Sequence, residues 1–211
     1  MSDPNKIQKL KKGFGICVLV LAVYMVLALA FHFWAGDQLL YRDSRNNLDM
    51  PAAETGTVEM VQGTVLEQTF TTGIERLQSI SLQWGAYYRA NTGTVTMELV
   101  DSRNQAVLMS GSFDAAAIQE GQTLTISAQT PLEGLYMVPL ILRVTGDSAA
   151  GSAATPLMTN MVRDSTCVLT VNGEPMAGML CFSASGQDYI WTGLHYWLFV
   201  ALGAVLLALF L

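Results

Sequence analysis

Two long apolar runs bracket a chain whose middle part alternates between apolar and polar residues. The first run covers residues 13–35 and contains no charged side chain. A helix of this length reaches about 34 Å, which is enough to cross the hydrocarbon core of a bilayer. The second run covers residues 194–211 and reaches about 27 Å, which suffices for a second crossing. The pattern predicts two transmembrane helices, within residues 13–35 and 189–211.

The part between these runs predicts an all-β domain. Short stretches rich in Val, Thr, Ile and aromatic residues recur from Thr57 onward, with turn residues between them about every 8 to 12 positions. Ile80, Leu82 and Trp84, for example, share one face of a predicted strand. Strands without an amphipathic helix between them favour an antiparallel, jelly-roll-like β-sandwich over residues 57–188. We predict strands at residues 57–62, 64–70, 77–84, 93–100, 106–113, 123–127, 135–145, 166–171 and 177–184.

Two segments of this middle part lack the alternation. Residues 36–56 are polar and contain Pro51, which indicates a stalk or connecting loop. Residues 146–160 are rich in Gly, Ala and Ser and predict a loop that crosses one end of the sandwich or forms a mobile flap. We therefore expect a stalk before the sandwich and one long loop within it.

Charge is distributed unevenly along the chain and predicts its orientation. All four lysines lie in residues 1–12, a basic head with a net charge of +3, whereas residues 36–191 carry −9, which together give −6. Basic residues before the first run place the amino terminus in the cytoplasm. We therefore expect a plasma-membrane protein with both termini cytoplasmic and residues 36–191 extracytoplasmic. An acidic body without lysine argues against a nucleic-acid partner.

A cleaved secretory signal is an alternative interpretation of the first run. Ala28, Leu29 and Ala30 have the small-x-small form that signal peptidase prefers. The apolar core of a signal usually ends after about 7 to 15 residues, and this run continues through Trp34, which favours a retained anchor. In either case the middle part is exported.

The second apolar run predicts contact with the first. Small residues allow another helix to approach closely. The run ends at Leu211 without a polar residue, although membrane helices usually end in interfacial Trp, Tyr, Lys or Arg. We therefore expect a continuation of the chain or a membrane partner at that end. The small residues of the run are Ala201, Gly203, Ala204 and Ala208.

The three cysteines suit an exported domain. Cys17 lies within the first apolar run, where a thiol acts as a small apolar residue. Cys167 and Cys181 face each other across a hairpin if residues 172–176 form a five-residue loop, and they are then a candidate disulfide. Two buried free thiols in adjacent strands are the alternative, because spacing does not determine pairing.

Catalytic and metal-binding motifs are missing from the sequence. Its two histidines, His32 and His195, lie at the ends of the apolar runs, so the β domain has no imidazole for a Ser/His or Cys/His pair. Phosphate-binding loops and zinc-binding spacings are absent as well. We therefore predict no cofactor and no metal site, and whether the chain is an enzyme stays open.

The densest cluster of binding-type side chains lies in residues 84–93, between the third and fourth predicted strands. Aromatic rings stack on sugar rings, and Arg and Asn side chains hydrogen-bond to hydroxyls, so this segment is a candidate glycan-binding platform. Ordinary packing is the alternative, because Trp84 continues a buried alternation and Asn91 is a common turn residue. The candidate ligand-binding residues are Trp84, Tyr87, Tyr88, Arg89 and Asn91.

A family resemblance rests on three stretches of the β domain. They read EQTF, LQSISLQWGAYYRANTGTVTMELVDSRNQAV and LYMVPLILRVTG, and they follow a basic head and an apolar run. This arrangement resembles the extracytoplasmic jelly-roll modules after the first helix of Gram-positive polytopic envelope proteins, which look like membrane glycosyltransferases or surface-polysaccharide assembly proteins. The resemblance implies a non-catalytic envelope module that binds lipid bilayer and glycan or other membrane proteins. The alternative is the N-terminal part of a polytopic glycosyltransferase or polysaccharide transport protein.

Overall fold

The computed structural model describes residues 4–35, 41–44, 49–189 and 193–210. The chain divides into two compact units, one formed by Met1–Arg42 and Tyr189–Leu211 and the other by Asp43–Asp188. The first unit contains two apolar helices, and the second contains two antiparallel β-sheets around a common apolar core. The antiparallel β-sandwich predicted from the alternating residues is therefore confirmed.

In the described part of the chain, thirteen strands build the two sheets. Sheet I has seven strands and sheet II has six. In chain order the strands are β1 (Tyr41–Ser44), β2 (Thr55–Gly56), β3 (Val65–Phe70), β4 (Arg76–Gly85), β5 (Thr94–Asp101), β6 (Ala106–Asp114), β7 (Thr123–Glu133), β8 (Leu140–Gly146), β9 (Thr155–Thr159), β10 (Leu169–Val171), β11 (Glu174–Met176), β12 (Met179–Leu180) and β13 (Phe182–Tyr189).

Strand β4 is central to sheet I. The sheet has the order β1-β13-β4-β9-β12, with β7 paired to β4 and β2 paired to β9. Antiparallel ladders join β4 to β13, β7 and β9. Sheet II has the order β11-β10-β3-β8-β5-β6. Consecutive strands such as β3, β4 and β5 therefore lie in alternate sheets.

Alternate residues of the longer strands form the core between the sheets. Ile80, Leu82 and Trp84 of β4 are fully buried, and the intervening polar residues are partly exposed. Phe70 of β3 packs on Phe182 of β13, with ring centroids 4.9 Å apart, which brings the two sheets together. The remaining large residues of the core include Leu66, Ile74, Leu77, Val95, Met97, Leu99, Leu140, Leu142 and Val144.

A polar side chain, that of Gln68, lies buried between the two sheets. Gln68 of β3 is fully buried, and its Oε1 accepts a hydrogen bond of 3.0 Å from the backbone N–H of Leu180 in β12. Its Nε2 donates to the carbonyl of Thr69 at 3.0 Å. Both ends of the amide are therefore partnered, and the side chain links a strand of sheet II to a strand of sheet I.

The predicted strands with clean alternation agree well with the structure. Residues 64–70, 77–84, 93–100 and 106–113 correspond to β3, β4, β5 and β6 within one or two residues at each end. The strand predicted at residues 123–127 begins correctly but continues to Glu133 as β7. Period-two burial is therefore a dependable signal in this chain.

Other strand predictions were wrong in part. Residues 57–62 bond to the chain around β9 through isolated bonds, such as Met60 N to Ala154 O at 3.0 Å, and do not form a strand. Strand β8 begins at Leu140 instead of residue 135, and the stretch at 177–184 is interrupted at Cys181 between β12 and β13. Strands β1, β2 and β9 lie in segments predicted as loops.

The helical unit consists of α1 (Pro4–Ala35) and α2 (Gly193–Phe210). Within the described residues, one helical stretch, Lys12–Trp34, is long and apolar enough to cross a membrane, a property that N-terminal signal sequences share. The apolar stretch of α2, His195–Leu209, is shorter. The second transmembrane crossing therefore stays a prediction.

The two helices contact each other through polar and small groups. The Tyr24 hydroxyl donates to the carbonyl of Val200 at 3.2 Å, and the Tyr196 hydroxyl donates to the carbonyl of Ala28 at 2.7 Å. Gly203 lies against the Tyr24 hydroxyl, where a Cβ would collide with it. Each tyrosine of the pair therefore bridges to the backbone of the other helix.

The contact face of α2 differs from the predicted stripe of small residues. Gly203 belongs to the contact and Ala204 is partly buried, but Ala201 and Ala208 are exposed. Tyr196, Val200 and Gly203 follow helical spacing and define the face that meets α1. The hydroxyl of Tyr24 fills the space that Gly203 leaves open.

We predict that Gln68→Leu lowers the free energy of unfolding by about 1–3 kcal/mol, because it leaves the buried N–H of Leu180 without an acceptor. The measurement is urea denaturation of the full chain in detergent micelles, followed by tryptophan fluorescence. Gln83→Leu is the matched control, because its amide donates to the Gly121 carbonyl in an exposed contact. An equal loss in both variants would contradict a special role for Gln68.

We predict that Gly203→Leu separates α1 from α2, because the new side chain occupies the position of the Tyr24 hydroxyl. Cysteines at Leu27 and Phe199, which line the groove between the helices, report the separation through a short bifunctional cross-linker. The native cysteines are replaced by serine in this background. Cross-linking should fall in the variant and persist in the control Ala208→Leu, and equal cross-linking in both would refute the contact.

Candidate functional site

The candidate site is the loop of residues 86–93 between β4 and β5. β4 ends at Gly85, which is buried like Trp84 before it, and the loop then leads from sheet I to sheet II. Trp84 is fully buried, and Asn91 is buried as well. These two predicted ligand-binding residues therefore face the protein interior, whereas Tyr87, Tyr88 and Arg89 lie on the surface.

Two adjacent tyrosines form the exposed part of the loop. Tyr88 is 92% exposed and Tyr87 is 45% exposed. Both adopt the left-handed region, with φ of 55° and 51° for Tyr87 and Tyr88. Such a conformation costs about 1–3 kcal/mol for each bulky residue and persists only where the surroundings hold it. The loop therefore displays two aromatic rings at an energetic cost.

Arg89 holds the loop by binding several neighbours. Its guanidinium forms an ion pair with Glu59 and donates to the carbonyl of Ala153 at 3.1 Å. Its Nε donates to Oδ1 of Asn91 at 3.2 Å, and its Cζ lies 4.8 Å from the centre of the Tyr87 ring. Arg89 therefore supports the Tyr87 ring by a cation–π contact while its donors bind protein acceptors.

Glu59 connects this arginine to a second loop. Its Oε2 accepts a hydrogen bond of 2.8 Å from the backbone N–H of Gly151, in the small-residue loop that follows β8. The hydrogen bond from Arg89, followed by that from Gly151, holds the pKa of the Glu59 carboxyl below its ordinary value of 4.5. The carboxylate is therefore charged and doubly bound at neutral pH.

Three further contacts fix the beginning and end of the loop. Oε2 of Glu120 accepts a hydrogen bond of 2.8 Å from the N–H of Ala86. The Asn91 amide donates to the Ala86 carbonyl at 3.2 Å, which closes the loop on itself. The N–H of Thr92 donates to the carbonyl of Ser152 at 2.8 Å. These bonds hold the backbone on both sides of the two tyrosines.

The sequence prediction missed the residues that order this loop. Glu59 and Glu120 lie about 30 residues before and after Arg89 along the chain, and no motif links the three positions. Asn91 is buried, and its amide closes the loop. The sequence gives one sign of backbone strain in this loop. Two bulky residues lie in a turn that has no glycine before Gly93.

A shallow groove on sheet I is a second surface feature. Its volume is about 230 Å³, and it is lined by Asp43, Ser44, Gln78, Ser185 and Gly186. None of these residues is aromatic. A sugar in this groove would find hydrogen-bonding groups but no stacking surface, so the loop of Tyr87 and Tyr88 is the better candidate.

Cys167 and Cys181 are buried free thiols in the structure. The predicted five-residue hairpin loop is wrong, because β10 and β11 pair through Val171 and Glu174 and leave a two-residue turn. Cys167 precedes β10 of sheet II, whereas Cys181 lies between two strands of sheet I. They are therefore not opposite each other in one hairpin.

Burial also determines the reactivity of these thiols. It raises the pKa of Cys167 and raises the pKa of Cys181 to about 11. The Arg163 guanidinium lies near both, but burial lowers its own pKa. Both thiols are protonated at neutral pH and are poor nucleophiles.

The histidines belong to the helical unit. The His32 ring lies 5.0 Å from the Tyr196 ring and 5.7 Å from the Trp197 ring, between centroids. No cluster of three or more His, Cys, Asp or Glu residues in the described part of the chain is arranged to hold a metal ion. His32 therefore lies in an aromatic cluster.

No protein-family model matches this chain, and no curated protein matches it significantly. The description of the candidate site therefore rests on the contacts within this structure. It consists of two exposed tyrosines on strained backbone, held by Arg89, Glu59 and Glu120. This geometry offers an aromatic contact surface and leaves no obvious acid–base pair.

We predict that Glu59→Gln lowers the melting temperature at pH 7, because the ion pair with Arg89 is lost. The depressed pKa of Glu59 contributes stability above pH 4.5, and this contribution disappears as the pH falls through the lower folded-state value. The difference from the wild type should therefore shrink below pH 4.5. Thermal melts from pH 7 to pH 3 measure it, with Glu174→Gln on β11 as the control. A difference that stays constant with pH would contradict this role.

Proposed function

We propose that this chain is a membrane-anchored, non-catalytic binding module of the cell envelope that contacts glycan through Tyr87 and Tyr88. The observation that carries the proposal is the display of two neighbouring aromatic rings on left-handed backbone. Aromatic faces stack on the apolar faces of sugar rings, and phenol hydroxyls bond to sugar hydroxyls. A loop already ordered before binding loses little entropy when it binds.

The five predicted ligand-binding residues divide into three roles under this proposal. Tyr87 and Tyr88 contact the glycan, because they are the exposed aromatic residues of the loop. Arg89 positions Tyr87 through its cation–π contact and its ion pair. Trp84 and Asn91 support the loop from the interior. The contact surface is therefore smaller than the sequence predicts.

The membrane anchor of the proposed module is α1, and α2 is the proposed second crossing. The long apolar stretch Lys12–Trp34 and the four lysines of residues 1–12 support an anchor with a cytoplasmic amino terminus. Contacts between α1 and α2 support two helices that share one environment. The proposed topology has cytoplasmic termini and an extracytoplasmic segment at residues 36–191 in the plasma membrane.

A jelly-roll-like connection of the sandwich supports the proposed relation to envelope modules. Strands β3, β4 and β5 alternate between the two sheets, and so do β7, β8, β9 and β10. Such crossing between sheets is typical of jelly rolls. Together with the sequence resemblance, it favours a module of Gram-positive envelope proteins of the glycosyltransferase or polysaccharide-assembly type.

We predict that the double variant Tyr87→Ala with Tyr88→Ala weakens binding to cell-wall polysaccharide about tenfold, a loss of about 1.4 kcal/mol. The melting temperature should change little, because both rings are exposed and the loop is held by other residues. The measurement is retention of the full chain in detergent on immobilised polysaccharide, together with a thermal melt.

Two controls separate binding from folding. Tyr136→Ala removes an exposed tyrosine of another loop and should leave polysaccharide binding unchanged. Trp84→Leu removes a buried ring and should lower the melting temperature markedly. The glycan proposal fails if the wild-type chain does not bind polysaccharide or if the double variant binds as well as the wild type.

A further inference from the structure

Charged side chains contact the tyrosine loop, residues 86–93, and their charges do not cancel. Arg89 supplies one positive charge, and the carboxylate of Glu59 pairs with it directly. Glu120 accepts a hydrogen bond of 2.8 Å from the backbone N–H of the loop's first residue. Asp147 accepts a hydrogen bond from the N–H of the residue that follows the loop. One guanidinium and three carboxylates therefore contact this segment, which gives it a net formal charge of −2.

The two carboxylates that Arg89 does not pair lie at the surface. Glu120 and Asp147 are both exposed. The hydrogen-bond partner of Glu120 directly precedes Tyr87, and consecutive Cα atoms lie about 3.8 Å apart. This carboxylate therefore lies within one Debye length, about 10 Å at 0.1 M salt, of the Tyr87 backbone. Its field reaches a ligand that stacks on the exposed rings.

Three further arginines of the sandwich are bound by carboxylates elsewhere. Arg76 is the first residue of ten-residue β4, so about 30 Å of strand separate it from the loop, and it pairs with a carboxylate there. Arg103 lies beyond the far end of β5 and pairs with the aspartate that ends this strand. Arg143 of β8 pairs with Glu67 and lies 3.7 Å from Glu98. Each guanidinium has its own carboxylate partner, so the negative balance at the tyrosine loop remains.

The exposed aromatic rings also attract positive charge. The face of a tyrosine ring carries partial negative charge and attracts a cation within about 6 Å of its centre. The Tyr87 ring already binds the Arg89 guanidinium in this way, at 4.8 Å. Tyr88 is 92% exposed, so its ring is accessible to a ligand. An ammonium group on a stacked sugar is attracted by the ring and by the carboxylates, whereas a carboxylate or phosphate group on that sugar is repelled.

We propose that the glycan bound by the tyrosine loop is an amino-sugar polymer with free, protonated amino groups, and that acidic polysaccharides are rejected. This inference rests on the glycan proposal made above and adds the chemical class of the ligand. Stacking on Tyr87 and Tyr88 is open to sugars of any charge. The charge around the loop therefore selects among them.

Three oligosaccharides of equal length test this class of ligand. They are tetramers of glucosamine, N-acetylglucosamine and galacturonic acid, whose sugar units are cationic, neutral and anionic. Isothermal titration calorimetry measures their binding to the full chain in detergent at about pH 6, where carboxyl groups are ionised and amino groups are protonated. Glucosamine should bind about tenfold more tightly than its N-acetyl form, and galacturonic acid should bind most weakly. Added salt should reduce this preference.

A pair of charge variants tests whether the local carboxylates set the preference. Glu120→Gln removes one negative charge beside the loop and keeps an oxygen that accepts the same backbone hydrogen bond. It should lower the ratio of glucosamine affinity to N-acetylglucosamine affinity about threefold. Glu174→Gln is the matched control, because this exposed residue lies on β11, four strand spacings or about 19 Å from β5. Equal effects of the two variants would overturn the inference.

The double variant Tyr87→Ala with Tyr88→Ala separates this inference from the glycan proposal. It should lose binding to glucosamine, and binding that persists would overturn the inference, since the acidic body would then attract the ligand without the rings. Equal affinities for glucosamine and N-acetylglucosamine, or tighter binding of galacturonic acid, would overturn the inference and leave the glycan proposal intact. Retention on immobilised polysaccharide without binding of any tetramer would do the same. If polysaccharide retention itself fails, the glycan proposal is wrong, and this inference fails with it.

Discussion

The central place of β4 is the constraint on which most of this structure depends. Its buried face supplies Ile80, Leu82 and Trp84 to the core, and its edges pair with three other strands. Because one strand is shared by so many ladders, its two ends determine where the neighbouring loops emerge. The tyrosine loop follows its last residue, Gly85, and its first residue, Arg76, donates hydrogen bonds to Glu133 of β7 and Gln187 of β13. The position of the candidate site in the sandwich therefore follows from the direction of a single strand.

The strands that the sequence predicted well are those with one buried and one exposed face. β3, β4 and β5 alternate in burial along their length, so the period of two is visible in the residue types. β9 is buried on both faces and contains Pro156, so it has neither alternation nor typical strand composition. β8 was predicted too long because Tyr136 continues the apolar pattern by chance, in a loop that precedes the strand. The alternation of residue types therefore does not predict a strand correctly where burial comes from contacts with distant parts of the chain.

The aromatic cluster of the candidate loop is visible in the sequence, but the structure of the loop is not. An aromatic cluster between two strands indicated where to look, and Tyr87 and Tyr88 are exposed there. Which side chains turn inward depends on partners distant in sequence, such as Glu59 for Arg89. The left-handed backbone of the tyrosines also depends on those partners, because the isolated sequence gives bulky residues no preference for it. Residue type alone therefore did not separate the exposed Tyr87 and Tyr88 from the buried Trp84 and Asn91.

Because Cys181 is buried, the reaction of its thiol with a reagent reports local opening of the sandwich. Its thiol lies at the break between β12 and β13, and alkylating reagents react with the thiolate, which is scarce while the pKa is about 11. Modification at neutral pH therefore requires this corner of sheet I to open to solvent. The rate of labelling then measures the free energy of that opening, in the way that amide exchange does for single backbone groups. If this corner opens independently of the rest of the sheet, Cys181 is labelled while the sandwich stays folded.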